Sequence, residues 1–227
     1  MYYSDDETRA PLAPSPSGHS CFIGQLQSVR KGGRLSFKAE SLGCGGAQRY
    51  IGFTADLRPN FEYFLSCGIP GTMEGERYKK SPDLVKSLMK KLPAFEAPGK
   101  FLVASRWDFL EEADNPDVAI FFATPDTLSG LFTLSGFDEA DANAVIAPFS
   151  AGCGSIVQYP FLEARKGQRR AVLGLFDVSA RPYVAPELLT FAVPMVKFIT
   201  MINDMKESFL TTPSWRAVRK RIVSRNS

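Results

Sequence analysis

A six-residue loop occurs twice in the chain, and it constrains the fold more than any other feature. The loops read Ser-x-Gly-Cys-Gly-(Gly/Ser) and lie at residues 41–46 and 150–155. Their alignment extends beyond the loops, over SLGCGGAQRYIGF and SAGCGSIVQYPF. Each copy follows a predicted strand and precedes a predicted helix with an aromatic residue at a matching distance. We therefore predict two pseudo-repeated strand–Gly-Cys-Gly–helix units.

The hydrophobic pattern around the loops alternates between strands and helices. Strands are predicted at residues 34–39, 61–67, 101–107, 117–123, 143–149 and 170–176. Helices are predicted over residues 20–33, from AQRYIGF, after the helix-start motifs Ser81-Pro82-Asp83 and Thr124-Pro125-Asp126, from Pro194, and over PSWRAVRKRIV. This order indicates an α+β or mixed α/β single domain with a central mixed sheet and flanking helices. We expect an irregular leader over residues 1–17 and one globular domain over residues 18–227.

Composition and charge exclude several classes of protein. A hydrophobic fraction of 44% with 22% charged residues is typical of a globular chain, and a net charge of +3 gives no reason to expect a nucleic-acid partner. No apolar run approaches the roughly 20 residues that cross a bilayer, and the acidic start MYYSDDE lacks the features of a signal peptide. We therefore expect a cytoplasmic protein with no membrane partner. His19 is the only histidine, which excludes a serine-hydrolase triad and a histidine-rich zinc site.

The repeated loops are the candidate ligand site. Glycines beside a cysteine permit positive φ and close approach of another group, and a helix N-terminus after the loop would attract anions and lower the thiol pKa. The ligand-binding candidates are Gly43, Cys44, Gly45, Gly46, Gly152, Cys153, Gly154 and Ser155. The alternative is that the glycines only form tight turns, in which small cysteines pack. Neither loop has the lysine and hydroxyl of a P-loop or the glycine spacing of a dinucleotide site.

The cysteines also suggest a metal site. There is no C-x-x-C pair, but Cys21, Cys44 and Cys153 could converge as single ligands from three segments. Three thiolates suit an iron–sulfur cluster with one open iron, or a soft metal ion with an external ligand. Cys67 is a further member by sequence, although its aromatic surroundings fit core packing better.

Two other polar segments have ordinary structural interpretations beside functional ones. Asp177, Ser179 and Arg181 follow a buried strand, where functional groups often lie, and a capped turn explains them equally well. The basic C-terminal helix resembles a nucleic-acid patch, but we favour a tail helix that is docked by Trp215.

With these segments in view, the chain resembles the uncharacterised family called domain of unknown function 169, a group of archaeal and bacterial proteins. The resemblance covers about residues 21–221 and rests on SCFIGQL, LGCGGAQRYIGF, GERYKKSPDLV, PDVAIFFATPDTLSGL, PFSAGCGSIVQYPFLEA and SFLTTPSWRAVRKR. It implies that Cys21, Cys44 and Cys153 lie where the family usually has cysteines, and that Cys67 is outside that pattern. It implies no established activity.

Three functional hypotheses follow. In the first, which we favour, the cysteine loops form a pocket for a metal, an iron–sulfur cluster or another small ligand. In the second, the protein is an enzyme with an activated thiolate at Cys44 or Cys153. In the third, it is a non-catalytic interaction protein, such as a homodimer, whose glycine loops are structural turns.

Overall fold

A computed structural model describes residues 1–14, 21–167 and 169–226, and the architecture below is that of these residues. They form a single α+β domain, as the sequence predicts, with two separate sheets and helices packed against them. His19 and the residues before Cys21 that complete the predicted start of the first helix lie outside the described residues.

The smaller sheet has three antiparallel strands. They are β1 (Tyr2–Ser4), β2 (Arg34–Phe37) and β3 (Phe101–Ser105), in the order β1-β3-β2. Residues 2–4 were expected to belong to an irregular leader, but Tyr2 is buried and pairs with Val103. A three-residue edge strand is too short to show an alternating pattern, so the sequence does not reveal it.

The larger sheet has four strands and is mixed, as predicted. They are β4 (Val118–Ala123), β5 (Val145–Ile146), β6 (Ala171–Gly174) and β7 (Leu189–Pro194), in the order β4-β7-β6-β5. The β5–β6 pair is parallel and the other two pairs are antiparallel. Strand β7, which pairs on both sides, was not predicted. The strand predicted over residues 143–149 is reduced to the two residues of β5.

The described residues form eight α-helices. They are α1 (Phe22–Gly32), α2 (Gly45–Tyr50), α3 (Phe61–Phe64), α4 (Pro82–Lys91), α5 (Pro125–Ser135), α6 (Tyr159–Arg165), α7 (Met195–Asp204) and α8 (Pro213–Asn226). A π-helical turn, Gly154–Gln158, runs directly into α6. Six follow the predicted starts; for example, the Ser81 hydroxyl caps α4 by accepting a hydrogen bond from the Leu84 N–H. No helix in this part of the chain combines the length and apolar character needed to cross a bilayer.

The segment from residue 61 to residue 67 corrects one prediction. It was expected to be a strand, but it begins with the helical turn α3. Phe61 and Phe64 are three residues apart, so the helix places their rings on one side, with centroids 6.2 Å apart. Aromatic residues favour strands on average, and this local contact overrides that preference.

The main hydrophobic core joins the two sheets. It contains Phe37 and Leu102 from the smaller sheet and Val118 and Ala192 from the larger one, all fully buried. Helix α1, helix α2 and the π-helical turn close this core with further apolar side chains. The N-terminal ends of these three helices carry Cys21, Cys44 and Cys153, so the core fixes the segments that bear the thiols.

Candidate functional site

Each of these three cysteines stands at the N-terminal end of a helix. Cys21 is the residue before α1, and its carbonyl accepts a hydrogen bond of 3.2 Å from the Gln25 N–H. Cys44 has the same position before α2, where its carbonyl accepts a bond of 3.1 Å from the Gln48 N–H. Cys153 lies inside the first turn of the helix that continues through the π-helical turn into α6. Three separate segments of the chain thus present a cysteine at or near a helix N-terminus.

The two Gly-Cys-Gly loops differ in backbone conformation. Cys44 is extended, with φ −123° and ψ 119°, whereas Cys153 is already helical, with φ −65° and ψ −30°. The likeness of the loops in sequence therefore does not extend to the cysteine backbone. The second loop leads into a π-helical turn, a feature that is rare and frequently found at functional sites.

The three thiols lie within electrostatic range of one another. Burial raises the pKa of Cys153 well above its ordinary value, and the Cys44 and Cys21 thiols raise it further. Burial also raises the pKa of Cys21, to which Cys44 contributes in the same direction. Cys153 is buried, Cys21 is half-buried and Cys44 is exposed, so the group runs from the interior to the surface. Cys67 is exposed and has no such interaction with the other thiols among the described residues.

The pKa direction at Cys153 corrects the expectation of an activated thiol in the second loop, and the Cys21 thiol follows the same direction. The Ile23 and Gly24 N–H groups do lower the pKa of Cys21, as expected at a helix N-terminus, but desolvation is the larger effect. At Cys153, which is buried, desolvation is again the largest effect on the pKa. Both side chains are therefore neutral thiols at physiological pH when nothing is bound to them.

Close approach, rather than positive φ, explains the glycines of the second loop. A Cβ atom on Gly154 would lie 2.0 Å from the Ser150 Oγ and 2.8 Å from the Tyr50 Cδ1, and one on Gly152 would lie 3.1 Å from the Ala180 Cβ. The first loop is open by comparison. A Cβ atom on Gly45 would meet nothing within 4 Å, and one on Gly46 would lie 3.5 Å from the Cys44 Sγ. Tyr50 belongs to α2, so the two loops pack against each other through this ring.

Ser155, the last ligand candidate of the second loop, is engaged inside the fold. Its hydroxyl donates a hydrogen bond of 2.8 Å to the Gly152 carbonyl and accepts one of 3.4 Å from the Leu175 N–H. The side chain is buried. These contacts support the loop and leave Ser155 little capacity to bind a ligand.

Asp177, for which the sequence allows either a functional role or a capped turn, contacts the second loop. Its Oδ2 atom accepts a hydrogen bond of 3.1 Å from the Gly152 N–H, at the start of the helix that bears Cys153. Its Oδ1 atom accepts bonds from the Ser179 N–H and hydroxyl, at 3.1 and 2.9 Å, and so caps the turn after β6. The capped-turn interpretation is therefore correct. In addition, the carboxylate contributes to the raised pKa of Cys153 and of Cys21.

The segment GERYKK, residues 75–80, lies against the same region. The Lys79 Nζ stands over the Phe149 ring, 3.7 Å from its centroid. Burial raises the pKa of Tyr78, and the nearby Asp177 adds to this while a hydrogen bond with Ser179 opposes it. A basic and aromatic segment thus borders the turn that holds Asp177. The sequence offered no signal for this contact beyond the segment's share in the family resemblance.

The described residues contain no group of three or more Cys, His, Asp or Glu side chains arranged to hold a metal ion. The three thiols interact electrostatically, but their present positions do not form a coordination shell. Two surface cavities lie elsewhere. One of about 390 Å³ is bordered by Val29, Arg34 and Phe109, and one of about 300 Å³ lies at the end of α5 beside Phe132 and Glu139. Neither is lined by the cysteine loops, so the expected pocket between these loops is not among them.

Comparison with known proteins gives one match. The model of the family domain of unknown function 169, described as Uncharacterised ArCR, matches residues 1–204. No curated protein matches the chain. No solved structure matches it.

Proposed function

The chain belongs to the family domain of unknown function 169, whose description assigns no activity, so the function has to be inferred from the residues; we propose that Cys21, Cys44 and Cys153 together bind a soft metal ion or an iron–sulfur cluster. The observation that carries this proposal is the electrostatic proximity of three thiols from three separate segments. Thiolate sulfur is the ligand type that soft cations and iron–sulfur clusters prefer.

Binding requires one of the thiols to move, and Cys44 is the one best placed to do so. It is exposed, it is flanked by glycines on both sides, and the space around Gly45 is open. Cys153 is held inside a helix by the close contacts of Gly152 and Gly154. We therefore infer that Cys21 and Cys153 bind the ligand first. The loop that carries Cys44 then moves to add the third sulfur ligand.

Binding is coupled to loss of protons. Because burial raises the pKa of Cys21 and Cys153, both thiols are protonated before a cation arrives. Each thiol that becomes a ligand releases its proton to solvent, since the thiolate is the coordinating form. The affinity for a cation is therefore expected to rise with pH.

The alternative of an enzyme with an activated thiolate has less support. It requires a lowered pKa at Cys44 or Cys153, and at Cys153 burial moves the pKa in the opposite direction. A purely structural role of the loops is the remaining alternative, and the experiment below distinguishes it from cation binding.

The test is a titration with Cd²⁺ alone, after anaerobic purification and a measurement of bound iron, zinc and sulfide. Thiolate-to-cadmium charge-transfer absorption reports sulfur ligation. We expect the wild type to bind one equivalent per chain, and Cys21→Ser, Cys44→Ser and Cys153→Ser each to weaken binding at least tenfold. Cys67→Ser is the matched control, because Cys67 is an exposed cysteine outside the group.

Two results would overturn the proposal. One is the absence of saturable cadmium absorption in folded wild-type protein. The other is an equal effect of all four serine substitutions, which would mean that the thiols bind Cd²⁺ independently. Either result would favour the structural role of the loops.

A further inference from the structure

Helix α7 buries a charged residue and exposes several apolar ones, which is the reverse of what their polarity favours. Lys197 is fully buried, with an exposed fraction of 0%, and Met201 lies beside it in the interior. Val196, Ile199 and Ile202 on the exposed side of α7, and Met205 directly after the helix, are apolar and exposed. A lysine is almost never fully buried unless it is paired, whereas valine and isoleucine are among the residues most often buried. The exposed side of α7 therefore has the composition of a covered surface.

The apolar residues of α7 form one continuous patch. They follow one another at intervals of three residues, which makes them neighbours on the helix surface. Trp107 extends the patch sideways, because its ring contacts that of Phe198 with centroids 5.5 Å apart and an interplanar angle of 79°. We call Trp107, Val196, Ile199, Ile202 and Met205 the α7 patch. Each of these five residues is between 44% and 62% exposed.

The size of the α7 patch fits a protein interface. Five half-exposed large side chains present on the order of 500 Å² of apolar area, which is in the upper part of the roughly 300–600 Å² range of the largest, often functional, patch on a monomer. A stable interface buries about 800 Å² per partner, with a polar rim around the apolar centre. The patch supplies that centre, and the charged residues at its two ends supply a rim.

The charges around the α7 patch favour a second copy of this chain as the occupant. Beside Trp107, Arg106 pairs with the exposed Asp108; the Arg106 Nε to Asp108 Oδ1 distance is 2.8 Å. At the far end of α7, the exposed Lys206 and Glu207 again provide one base and one acid. A rim with both signs at both ends can pair with itself. An anionic membrane surface would instead require an excess of lysine and arginine around the patch.

We propose that the protein is a homodimer in which the α7 patches of two copies pack against each other across a two-fold axis. We place the axis perpendicular to α7, so that the two α7 helices are antiparallel and each copy contributes the same patch, as in any isologous interface. Each Trp107 end then lies near the Lys206 and Glu207 end of the other copy. This inference does not depend on the thiol site, since none of the residues involved belongs to it.

The test is the molar mass of the full chain by sedimentation equilibrium over a range of concentrations. The wild type is expected at twice the 25.0 kDa of one chain. The double variant Ile199→Glu/Ile202→Glu is expected to weaken the dimer at least tenfold, because the interface would bury unpaired carboxylates. Val223→Glu is the matched control, since Val223 is an equally exposed apolar residue on α8 and should leave the dimer intact.

Circular dichroism verifies that each variant folds, and Ile202→Gln replaces the double variant if that one does not. A wild type that stays monomeric at its solubility limit would overturn the proposal. So would a dimer that is unchanged in a folded patch variant. Flotation of a monomeric wild type with phosphatidylcholine–phosphatidylglycerol vesicles would also overturn it and assign the α7 patch to a membrane surface.

Discussion

Cys153 shows how burial competes with a helix N-terminus at the scale of one residue. The sequence places this thiol in a glycine loop before a helix, which predicts a lowered pKa. The fold instead buries the Cys153 side chain in the main core, within electrostatic range of Tyr50, and this desolvation raises its pKa. The sequence shows the loop and the helix, but the depth of the residue depends on packing between segments a hundred residues apart.

A first prediction concerns the pH dependence of stability in metal-free protein. Up to the ordinary cysteine pKa of 9.0, both the folded and the unfolded Cys153 keep the proton. Above that value the unfolded thiol ionises while the folded one does not, so the free energy of unfolding falls as pH rises. One such group contributes a slope of up to about 1.4 kcal/mol per pH unit. Urea denaturation in the presence of a chelator, from pH 7 to pH 10.5, measures this slope.

The comparison that isolates this effect is the difference between wild type and Cys153→Ala at each pH. The difference should change above pH 9 in favour of the variant, while Cys67→Ala should follow the wild type throughout. Parallel curves for wild type and Cys153→Ala would show that the folded thiol ionises at its ordinary pKa.

A second prediction distinguishes the glycines of the two loops. Gly154→Ala introduces a Cβ atom 2.0 Å from the Ser150 Oγ and 2.8 Å from the Tyr50 ring, so we expect a loss of about 1–3 kcal/mol in the free energy of unfolding. Gly45→Ala is the matched substitution in the first loop. It meets open space at the start of α2 and should be neutral or stabilise by less than about 1 kcal/mol. Urea denaturation of both variants measures their free energies of unfolding. Equal losses in the two variants would contradict the difference in packing between the two loops.

At the scale of elements, α7 combines an interior lysine with two acidic partners from the loop after α5. Lys197 forms ion pairs with Asp138 and Glu139, the latter at 3.1 Å between Nζ and Oε1. The lysine is fully buried, whereas both carboxylates retain some exposure to solvent. Removing the two carboxylates and removing the lysine should therefore change the stability of the fold by different amounts.

A third prediction follows from that asymmetry. Asp138→Asn/Glu139→Gln leaves the Lys197 ammonium buried without a counter-charge and should cost about 3–5 kcal/mol. Lys197→Met keeps the volume and leaves only partly exposed carboxylates, so it should change stability by less than about 2 kcal/mol. Thermal unfolding of the wild type and of these two variants measures the two losses of stability. A larger loss in Lys197→Met than in the double variant would contradict the prediction.

The elements that the sequence predicts correctly are those with local signals. Ser81 and the proline after it mark the start of α4, and β4 is an isolated apolar run. Strand β7 was missed although Pro194 marks the start of α7, because the short run LTFAV before it does not alternate regularly between apolar and polar residues. The docked α8 was anticipated correctly: the Trp215 ring packs on Gly130 and meets Phe209 edge to face.

The candidate site was only partly predictable, for a similar reason. The cysteines are visible in the sequence, but their approach to one another depends on how α1, α2 and the π-helical turn dock on one core. The role of Asp177 depends on a hydrogen bond to Gly152, 25 residues away in the chain. No spacing rule encodes such a contact.

At the scale of the whole molecule, a fourth prediction concerns cooperativity. The main core contains residues of both sheets, and the larger sheet forms a second buried cluster with α5 and α7, so the two sheets share one of their interiors. We expect one unfolding transition, with the same midpoint by far-ultraviolet circular dichroism and by tryptophan fluorescence at a fixed protein concentration. Two separate transitions would mean that the smaller sheet unfolds independently.

The proposed site requires three thiols from separate segments of the chain to bind one cation. X-ray absorption at the cadmium edge, on the Cys67→Ser variant with one equivalent of Cd²⁺, counts the sulfur atoms around the ion. We expect three sulfur ligands, from Cys21, Cys44 and Cys153, and two in the additional Cys44→Ser variant. One sulfur or none around the bound ion would contradict it.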